Sequence, residues 1–548
     1  MTTGTKVLTA ALALAAMTAA GPARAEGWAD RLSLGGSIQS DIRFITDDWR
    51  GERPGEGHEF EMNRNDVNLR LRADPFDNVQ AVVDTRLRYY GFNRSASLPE
   101  LIGRSKIDPF DVQLNEAYVA VRGLPWSKMD IKVGRMIQTW GTADMFNPTD
   151  NLNSRDFSDP LDYAGKVPNQ MLELDFYPTD WMSLQLVWVP VFKPANLPPS
   201  AVQGFAMTYN EQGEVTDFPA PPLDAEGRAA LMKLKGLLGG SGTVAPGQNP
   251  LKDVGFTTPE VRTINPKPSM ANSQFGARAK FKAGPVDFSL SYYYGRFGFP
   301  VAANAVADVI SSDNYPATTK FVTDTESIDT RKKFNVRYVA EIMYPRMQVV
   351  GADFAYASEN QWVPGFFAEA ALILPERVDF GLDVFLNGDN KVPGLAMEQA
   401  LPYRNVNVPS TPFIKATAGF DWSYRDWFYL NLQYVRGFFD EFNDMYGIHN
   451  YFVFATEAKF KQNEVQIRFA GALNCDDQSA VLYPQITWIV APAVELVGGY
   501  MHFLGDTTQK TKYDADGNPL MATYQGKSKF GMKANGRNVA FLRGKVTF

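Results

Sequence analysis

The chain has 548 residues, with 54 Lys+Arg against 61 Asp+Glu and a formal net charge of −7. This acidic balance argues against nucleic acid as a partner, since phosphate-binding proteins are usually basic. The hydrophobic fraction is 45%, yet no segment beyond the N-terminal region reaches the ~18 consecutive apolar residues of a transmembrane helix. The single cysteine, Cys475, excludes an internal disulfide framework.

The N-terminus has the pattern of a secretory signal peptide. Lys6 precedes an apolar run over 7–20, which is too short to span a bilayer, and Gly21-Pro22 and an Ala-Arg-Ala sequence follow. We predict that residues 1–25 are cleaved. Residues 26–548 are then predicted to form a single domain, because no linker or composition break divides them.

Most of the remaining chain alternates apolar and polar residues with a period of two. In residues 66–73, for example, valine and leucine alternate with asparagine and arginine. Such alternation predicts β-strands that are apolar on one face and polar on the other. In chain order the predicted strands lie near 32–44, 66–73, 79–89, 116–122, 128–133, 171–176, 182–188, 275–282, 286–294, 335–342, 347–356, 366–372, 379–386, 413–422, 427–435, 452–460, 464–470, 480–488, 494–503 and 538–547.

The connections between these strands alternate in length. Short ones are expected at 74–77, 124–126, 178–180, 284–285, 344–345, 375–376, 425–426, 462–463 and 492–493, and long ones near 138–168, 193–272, 297–331, 388–412 and 504–536. Short periplasmic turns opposite long extracellular loops are typical of an outer-membrane barrel. Within the long connections we expect two helices, at 224–238 and 302–311.

Two further features favour a barrel over a soluble sheet. Aromatic residues cluster at the ends with short turns, as in an interfacial girdle: Trp126, Tyr177, Trp181, Tyr344, Trp422, Tyr424, Trp427 and Phe428. The last strand alternates and ends in Phe548, which resembles the assembly signal of bacterial outer-membrane proteins. We predict an all-β, antiparallel, up-and-down transmembrane barrel of about 18–20 strands, with 20 as the direct count. Its interior is too wide for side chains to fill.

Charged residues fall on the face predicted to line the lumen. Cations concentrate in the early strands and acids in the later ones, with these predicted pore-lining residues: Arg70, Arg72, Arg86, Arg88, Arg122, Lys128, Lys132, Arg278, Lys280, Glu341, Glu369, Asp383 and Glu457. One interpretation is a transverse field whose basic wall attracts anionic solutes. The other is that these groups pair with each other and neutralise the wall.

The segment 134–168 is the most distinctive part of the sequence. It is dense in Asp, Asn, Ser and Thr, and an ordered loop of this length is unusual unless it is functional. We predict that it folds into the lumen as a constriction, formed by Arg135, Trp140, Asp144, Asn147, Asp150, Asn153, Arg155 and Asp156. The alternative is an outward loop held by its own Asx-turns. An EF-hand calcium loop is missing from the sequence, and we predict neither a metal nor a cofactor.

A strand that ends in Gly-Arg, followed by Trp-Gly and Asn-Pro-x-Asp, resembles the large porin-like barrels of Gram-negative bacteria. Uncharacterised outer-membrane families and alginate-export-like barrels are closest in style. The resemblance implies that a loop folded into the barrel restricts the pore. Alginate-export barrels have a strongly basic lumen, whereas cations here occupy only part of the wall.

The predicted function is an outer-membrane channel for small hydrophilic, in particular anionic, solutes. The alternatives are a specific exporter or importer of a polysaccharide or an apolar compound, and a non-conducting structural or adhesive barrel. We do not predict an enzyme, because His58, His449 and His502 have no catalytic partner at a telling spacing. The expected partners are outer-membrane lipid, lipopolysaccharide, the barrel-assembly machinery through the C-terminal strand, and the solute.

Overall fold

The computed structural model describes residues 31–48, 60–92, 104–124, 128–159, 165–197, 260–311, 334–358, 360–386, 401–408, 411–442, 448–505 and 537–548, with short stretches at 101, 161–162, 208–209, 215–217, 254–256 and 530. The predicted signal peptide and the helix predicted at 224–238 lie outside the described residues. In the described part of the chain, no helix has the length and apolar character needed to cross a membrane.

Eighteen of the described strands pair with their neighbours, and the sheet closes on itself. Closure joins the last strand to the first in antiparallel register, with Ser37 opposite Thr547. The barrel strands are β1 Leu32–Asp48, β2 Phe60–Phe76, β3 Val79–Tyr90, β4 Phe110–Leu124, β5 Met129–Met136, β6 Asn169–Thr179, β7 Met182–Val189, β12 Gln274–Ala283, β13 Val286–Arg296, β16 Arg346–Tyr356, β17 Gly365–Pro375, β20 Phe413–Tyr424, β21 Phe428–Arg436, β22 Asn450–Phe460, β23 Val465–Asn474, β24 Ala480–Ala491, β25 Val494–Leu504 and β26 Arg537–Thr547.

The alternation of the sequence becomes the two faces of this wall. Leu186, Leu290 and Ile486 are 54%, 57% and 54% exposed and point outward, where a membrane would cover them. Their neighbours in the chain point inward, and all of them except Val187 are polar. Because closure leaves no unpaired strand edge, every ladder group of the wall can be satisfied within lipid. The predicted all-β, up-and-down barrel is therefore confirmed.

The two ends of the barrel differ. At one end, which we call the short-turn end, strands are joined by brief turns such as 180–181, 284–285 and 492–493, and both termini of the barrel lie there. Gly284 and Ala493 adopt positive φ in these turns. At the opposite long-loop end, the connections include 137–168, 190–273 and 297–345. This asymmetry is the one expected of an outer-membrane barrel.

A second sheet lies in the long-loop connections. It contains β10 Val254–Phe256, β11 Glu260–Ile264, β14 Val301–Ser311, β15 Phe334–Met343, β18 Val378–Leu386 and β19 Leu401–Val408, and a separate hairpin pairs β8 Thr208–Tyr209 with β9 Val215–Asp217. The strands predicted at 335–342 and 379–386 belong to this second sheet. The direct count of 20 barrel strands was therefore wrong by two, and the lower count of 18 is confirmed.

Two related predictions were also wrong. Residues 302–311 form part of β14 rather than a helix, because their alanine and valine residues pair with β15. The connections near 344–345 and 375–376, predicted as periplasmic turns, join the barrel to the second sheet at the long-loop end. Alternation reports any half-buried strand, so it does not distinguish a strand of the wall from a strand of a loop sheet.

The two faces of the wall can be tested with adjacent residues of β24. Ile486 points outward near the middle of the strand, and Gln485 points into the lumen. We expect Ile486→Arg to lower the free energy of unfolding in bilayers by about 2–4 kcal/mol, because a cation would face hydrocarbon. The control Gln485→Arg should change it by less than about 1 kcal/mol. Urea unfolding followed by tryptophan fluorescence measures both, and equal losses would contradict the assigned faces.

Candidate functional site

The connection from β5 to β6 lies inside the barrel. We call residues 137–168 the inward segment. Its side chains and backbone contact inward-facing groups on the nearby strand β7, at Gln185, and on strands far around the wall, at Glu369 on β17 and Thr417 on β20. It also reaches Arg43 on β1. The inward segment therefore crosses the lumen and is fixed to the wall at several points.

Glu369 is the main anchor on the far wall. Its Oε1 accepts hydrogen bonds from the backbone N–H of Thr149 at 2.8 Å and from Thr149 Oγ1 at 2.6 Å. Its Oε2 accepts from the backbone N–H groups of Thr142 and Ala143 and from Asn147 Nδ2, at 3.1, 3.4 and 3.3 Å. The Glu369 residue as a whole is only 3% exposed. Charge-assisted hydrogen bonds of this kind are among the strongest in proteins.

The local backbone folds around this carboxylate. Gly141 has a φ of +97°, and a Cβ there would lie 2.3 Å from Glu369 Oε2. Only glycine combines that backbone conformation with that close approach. The close approach to Glu369 therefore explains why the second residue of the Trp-Gly pair is a glycine.

The first residue of that pair anchors the near wall. Trp140 is 1% exposed, and its Nε1 donates to Gln185 Oε1 at 2.7 Å. Its ring lies on Gly276 of β12, where a Cβ would come within 2.6 Å of it. A glycine on the inner face of a strand therefore makes the space for the indole.

An ion-pair network fixes the C-terminal part of the inward segment to β1 and β2. Asp159 accepts from Arg43 Nη1 at 2.7 Å and from Arg64 Nη2 at 2.9 Å, and Asp41 accepts from Arg43 Nη2 at 2.8 Å. Burial alone would raise the pKa of Asp159, but the two guanidinium groups outweigh it and hold that pKa well below its usual range. Asp159 is therefore ionised at neutral pH.

Four more charged side chains, three in the inward segment and one on β17, balance one another. Asp150 pairs with Arg155 at 3.2 Å and with Lys166 at 2.5 Å, and Glu369 also acts electrostatically on both cations. Burial lowers the pKa of Lys166, and the charge of Asp150 offsets part of this. Two buried cations therefore face two buried carboxylates, which is the arrangement that a desolvated cluster requires.

Apolar side chains fill the space between the inward segment and the long-loop half of the wall. Two clusters form, one around Trp140, Leu152 and Phe157, and the other around Phe146. Phe439, from the β21–β22 connection, packs against both. The inner face contributes apolar residues to these clusters near the long-loop end of its strands: Val187, Val189, Met347, Val349, Ile373, Val435, Tyr451, Val481, Met501, Phe503 and Val539.

Beneath this plug of apolar side chains, the short-turn half of the lumen is polar. A cavity of about 260 Å³ lies against β22–β26. Glu457, Gln466, Arg468 and Lys545 are among its lining residues. The lumen thus has a half toward the long loops that is packed with apolar side chains and buried ion pairs, and a polar half toward the short turns.

The predicted constriction residues divide into three groups. Trp140, Asn147, Asp150, Asn153 and Arg155 are buried and hold the inward segment in place, while Asp156 is half-buried and caps the backbone N–H of Ser158. Asp144 is exposed to the lumen and interacts electrostatically with Asp421 of β20. Arg135 was wrongly predicted, because its parity on β5 points it outward, together with the 52%-exposed Val133.

Most of the predicted pore-lining residues lie on the inner face of the wall: Arg70, Arg72, Arg86, Arg88, Arg122, Lys132, Arg278, Lys280, Glu369 and Glu457. Three predictions were wrong. Lys128 lies in the turn before β5 and donates to the carbonyl of Pro178 at 3.0 Å. Glu341 and Asp383 lie on β15 and β18 of the second sheet. They were predicted to line the pore because the alternation of those two strands was interpreted as that of wall strands.

Many of the inward charges have partners of opposite sign. Arg88 pairs with Asp66 at 2.8 Å, Arg278 with Asp353 at 3.0 Å and Lys132 with Glu173 at 3.6 Å. Arg72 pairs with Asp74 at 2.9 Å, and Arg70 lies 3.5 Å from Glu116. Pairing therefore neutralises much of the wall, as the second interpretation of the sequence expected.

Sequence reasoning missed several residues on which the site depends. Asp159 and Thr149 lie within the predicted segment but were not selected, and Lys166 lies near its end. The inward-facing Gly276 carried a signal, since a glycine in an otherwise regular strand marks a close approach. The sequence held no signal for Phe438, Phe439 and Phe442, because their role depends on contacts made across the lumen.

A family model described as "Protein of unknown function (DUF1302)" matches residues 57–371, more than half of the chain. The chain belongs to this family. Comparison with curated proteins gives no match.

Solved structures to which the chain is similar include OccAB2 of Acinetobacter baumannii, at 8% identity and a TM-score of 0.42, over 95% of this chain and 98% of that one. OmpT of Vibrio cholerae is similar at 7% identity and a TM-score of 0.35, over 94% and 97% of the two chains. A mutant porin of Rh. blastica is similar at 8% identity and a TM-score of 0.32, over 94% and 100%. The closed eighteen-stranded wall with its apolar exterior makes this DUF1302 member a transmembrane β-barrel of the outer-membrane type.

Removal of the Glu369 carboxylate should release the inward segment. In Glu369→Ala, the N–H groups of Thr142 and Thr149 lose their acceptor, which should cost the seated conformation about 2–6 kcal/mol. We expect faster protease cleavage within 137–168 while the barrel keeps its heat-modifiable gel shift. Glu369→Gln retains one oxygen acceptor and should show a smaller increase. Unchanged cleavage in Glu369→Ala would contradict the anchoring role.

The seat at Asp159 should be insensitive to mild acid. Because its folded pKa is depressed, its ion pairs stabilise the seat fully above the unfolded value of about 3.9, and this contribution is lost as the pH falls through the folded pKa. Protease resistance of the inward segment should therefore be the same at pH 7 and pH 5. Asp159→Asn should lower it at both values. A release between pH 7 and pH 5 that depends on Asp159 would contradict this account.

Proposed function

We propose that this barrel is a narrow outer-membrane channel of a Gram-negative bacterium, in which the inward segment restricts passage to small hydrophilic solutes. The observation that carries the proposal is the seating of residues 137–168 across the lumen by Glu369, Trp140 and Asp159. An eighteen-stranded wall alone would enclose a wide aqueous pore. With the inward segment in place, the route for water and solutes is confined to the polar groups that remain around it.

The proposal includes a weak preference for anions. On the inner face of β2–β4, in the part nearer the short turns, four arginines face the three carboxylates of Asp74, Asp84 and Glu116. The arginines are Arg70, Arg72, Arg86 and Arg122. The side chains of Arg70 and Arg72 are 53% and 51% exposed to the lumen. An excess of partly hydrated cations in a narrow channel raises the local anion concentration.

Conductance in planar bilayers tests the restriction. We expect single channels of small conductance, and a severalfold increase when residues 142–158 are deleted, because the lumen then loses its occupant. A deletion of the same length in the longest connection, at 222–238, is the control and should leave the conductance unchanged. A barrel that is silent in both forms, or a deletion at 142–158 without effect, would contradict the proposal.

The sign of the selectivity is measured in the same bilayers under a salt gradient. The reversal potential should indicate a modest preference for chloride over potassium. Combining Arg70→Gln, Arg72→Gln, Arg86→Gln and Arg122→Gln should move it toward cation preference. A wild-type channel that prefers cations would contradict the anion part of the proposal and leave the restriction intact.

Transport of an apolar compound is a second candidate, and the apolar inner face near the long-loop end favours it. Phe146, Phe438 and Phe439 pack against one another beside this face, with ring centroids 5.2–5.5 Å apart. If the inward segment moved, this face would offer an apolar path along the half of the lumen nearer the long-loop end. Binding of a hydrophobic fluorescent probe that is lost in Phe146→Asp would favour this candidate, and retained binding would eliminate it.

A further inference from the structure

The outer face of the barrel changes character along β13 and β16. Near mid-strand it is apolar, with Leu290 and Val350 57% and 49% exposed. Toward the long-loop end Tyr292 and then Tyr294 follow on the same face. The last pair of the ladder is Arg296 opposite Arg346. Apolar residues, then aromatic residues, then cations is the order expected across a membrane interface.

This order places the two guanidinium groups at the level of the outer-leaflet head groups. The eleven residues from Val286 to Arg296 run from the short-turn end to the long-loop end. A tilted strand of that length crosses about the height of the apolar band, roughly 25 Å. Tyr294 lies beneath Arg346, whose guanidinium centre is 5.7 Å from the ring centroid and whose Nη1 donates to the tyrosine hydroxyl.

Neutral oxygens hold the two cations side by side. Asn272 Oδ1 accepts from Arg296 Nη2 at 2.8 Å and from Arg346 Nη2 at 2.9 Å. The carbonyls of Tyr344 and Ala271 accept one further bond from each arginine, at 2.6 and 2.9 Å. These bonds fix the directions of both side chains and leave their charges in place.

Little negative charge offsets this pair. Within the described part of the chain, neither guanidinium has a carboxylate oxygen within 4.0 Å. Glu376 lies near enough to act on Arg296 electrostatically, but its Oε2 accepts the backbone N–H of Arg346 at 2.7 Å. Two like charges held together without a paired acid are costly unless an anion joins them.

A second pair of cations lies along the same rim. Arg135 points outward at the long-loop end of β5, and Lys193 follows the end of β7. Burial and the charge of Arg135 lower the pKa of Lys193, so the two cations act on each other. Strands β6, β7 and β12 lie between Arg135 on β5 and Arg296 on β13, and only β12 lies between the end of β7 and β13. The rim therefore presents cations at two points along one side of the barrel.

We propose that Arg296 and Arg346 bind a phosphate group of a phosphorylated glycolipid of the outer leaflet, of the lipid A class. The planar forks of arginine suit bidentate recognition of phosphate oxygens. Tyr292 and Tyr294 contact the acyl and sugar region below. This lipid site faces the membrane and does not depend on conduction through the lumen.

Native mass spectrometry of the purified barrel in detergent tests the site with lipid A as the probe. Wild-type barrel should retain lipid A, and should retain its enzymatically dephosphorylated form at least about tenfold less. The double variant Arg296→Gln with Arg346→Gln should lose lipid A binding by a similar factor. Arg31→Gln, at the short-turn end, is the matched control and should bind as wild type does.

Three outcomes would overturn the proposal. The first is equal retention of lipid A and its dephosphorylated form by wild-type barrel, a comparison that requires no variant to fold. The second is undiminished binding by the double variant with its heat-modifiable gel shift intact. The third is displacement of lipid A by millimolar inorganic phosphate, which would make the pair a site for small anions. Channel conductance should be the same with and without lipid A. A barrel that does not conduct would therefore count against the proposed function alone.

Discussion

The width of the lumen is the constraint on which the rest of this structure depends. Eighteen strands closed without a free edge satisfy every backbone group of the wall, but they enclose more space than inward side chains can fill. The chain occupies part of that space with residues 137–168. Because polar groups of the segment enter a confined interior, each buried donor or acceptor needs a partner. Glu369 accepts from backbone N–H groups of the segment, and Gln185 accepts from the indole N–H of Trp140. Arg43 on the wall donates to the carboxylate of Asp159.

Two kinds of interaction divide the work of holding the segment. Apolar packing around Phe146 and Phe157 removes surface from water in the long-loop half, without directional preference. The carboxylate of Glu369 and the ion pairs of Asp159 set the position, because a desolvated charge tolerates few alternative arrangements. Glu369 lies on β17, and the partners of Asp159 lie on β1 and β2 at the opposite side of the barrel. These charged anchors therefore fix the segment at both ends of its path across the lumen. The polar half of the lumen below it stays open to water, and its charges lie largely in pairs.

The sequence predicted the barrel well, because a period of two and alternating connection lengths are local properties of the chain. It failed at 335–342 and 379–386, because a loop sheet shows the same period as a wall. It selected the right segment at 134–168 from its density of capping residues, and parity placed Arg70 and Glu369 on the inner face. It could not assign roles within the segment. Asp150 and Arg155 proved to be buried partners rather than lumen-facing groups, and such pairings depend on contacts made across the barrel.

The most direct test of the account asks whether the inward segment is seated in the working channel. A Cβ on Gly351 of β16 would lie 3.2 Å from the Cβ of Thr149, close to the separation of bridged cysteines. In a Cys475→Ser background, Thr149→Cys with Gly351→Cys should therefore form a disulfide in nearly all molecules. Conductance should then be the same before and after reduction, because the segment already occupies this position. Failure of the bond to form, or a conductance that rises to that of an open barrel on reduction, would contradict the account.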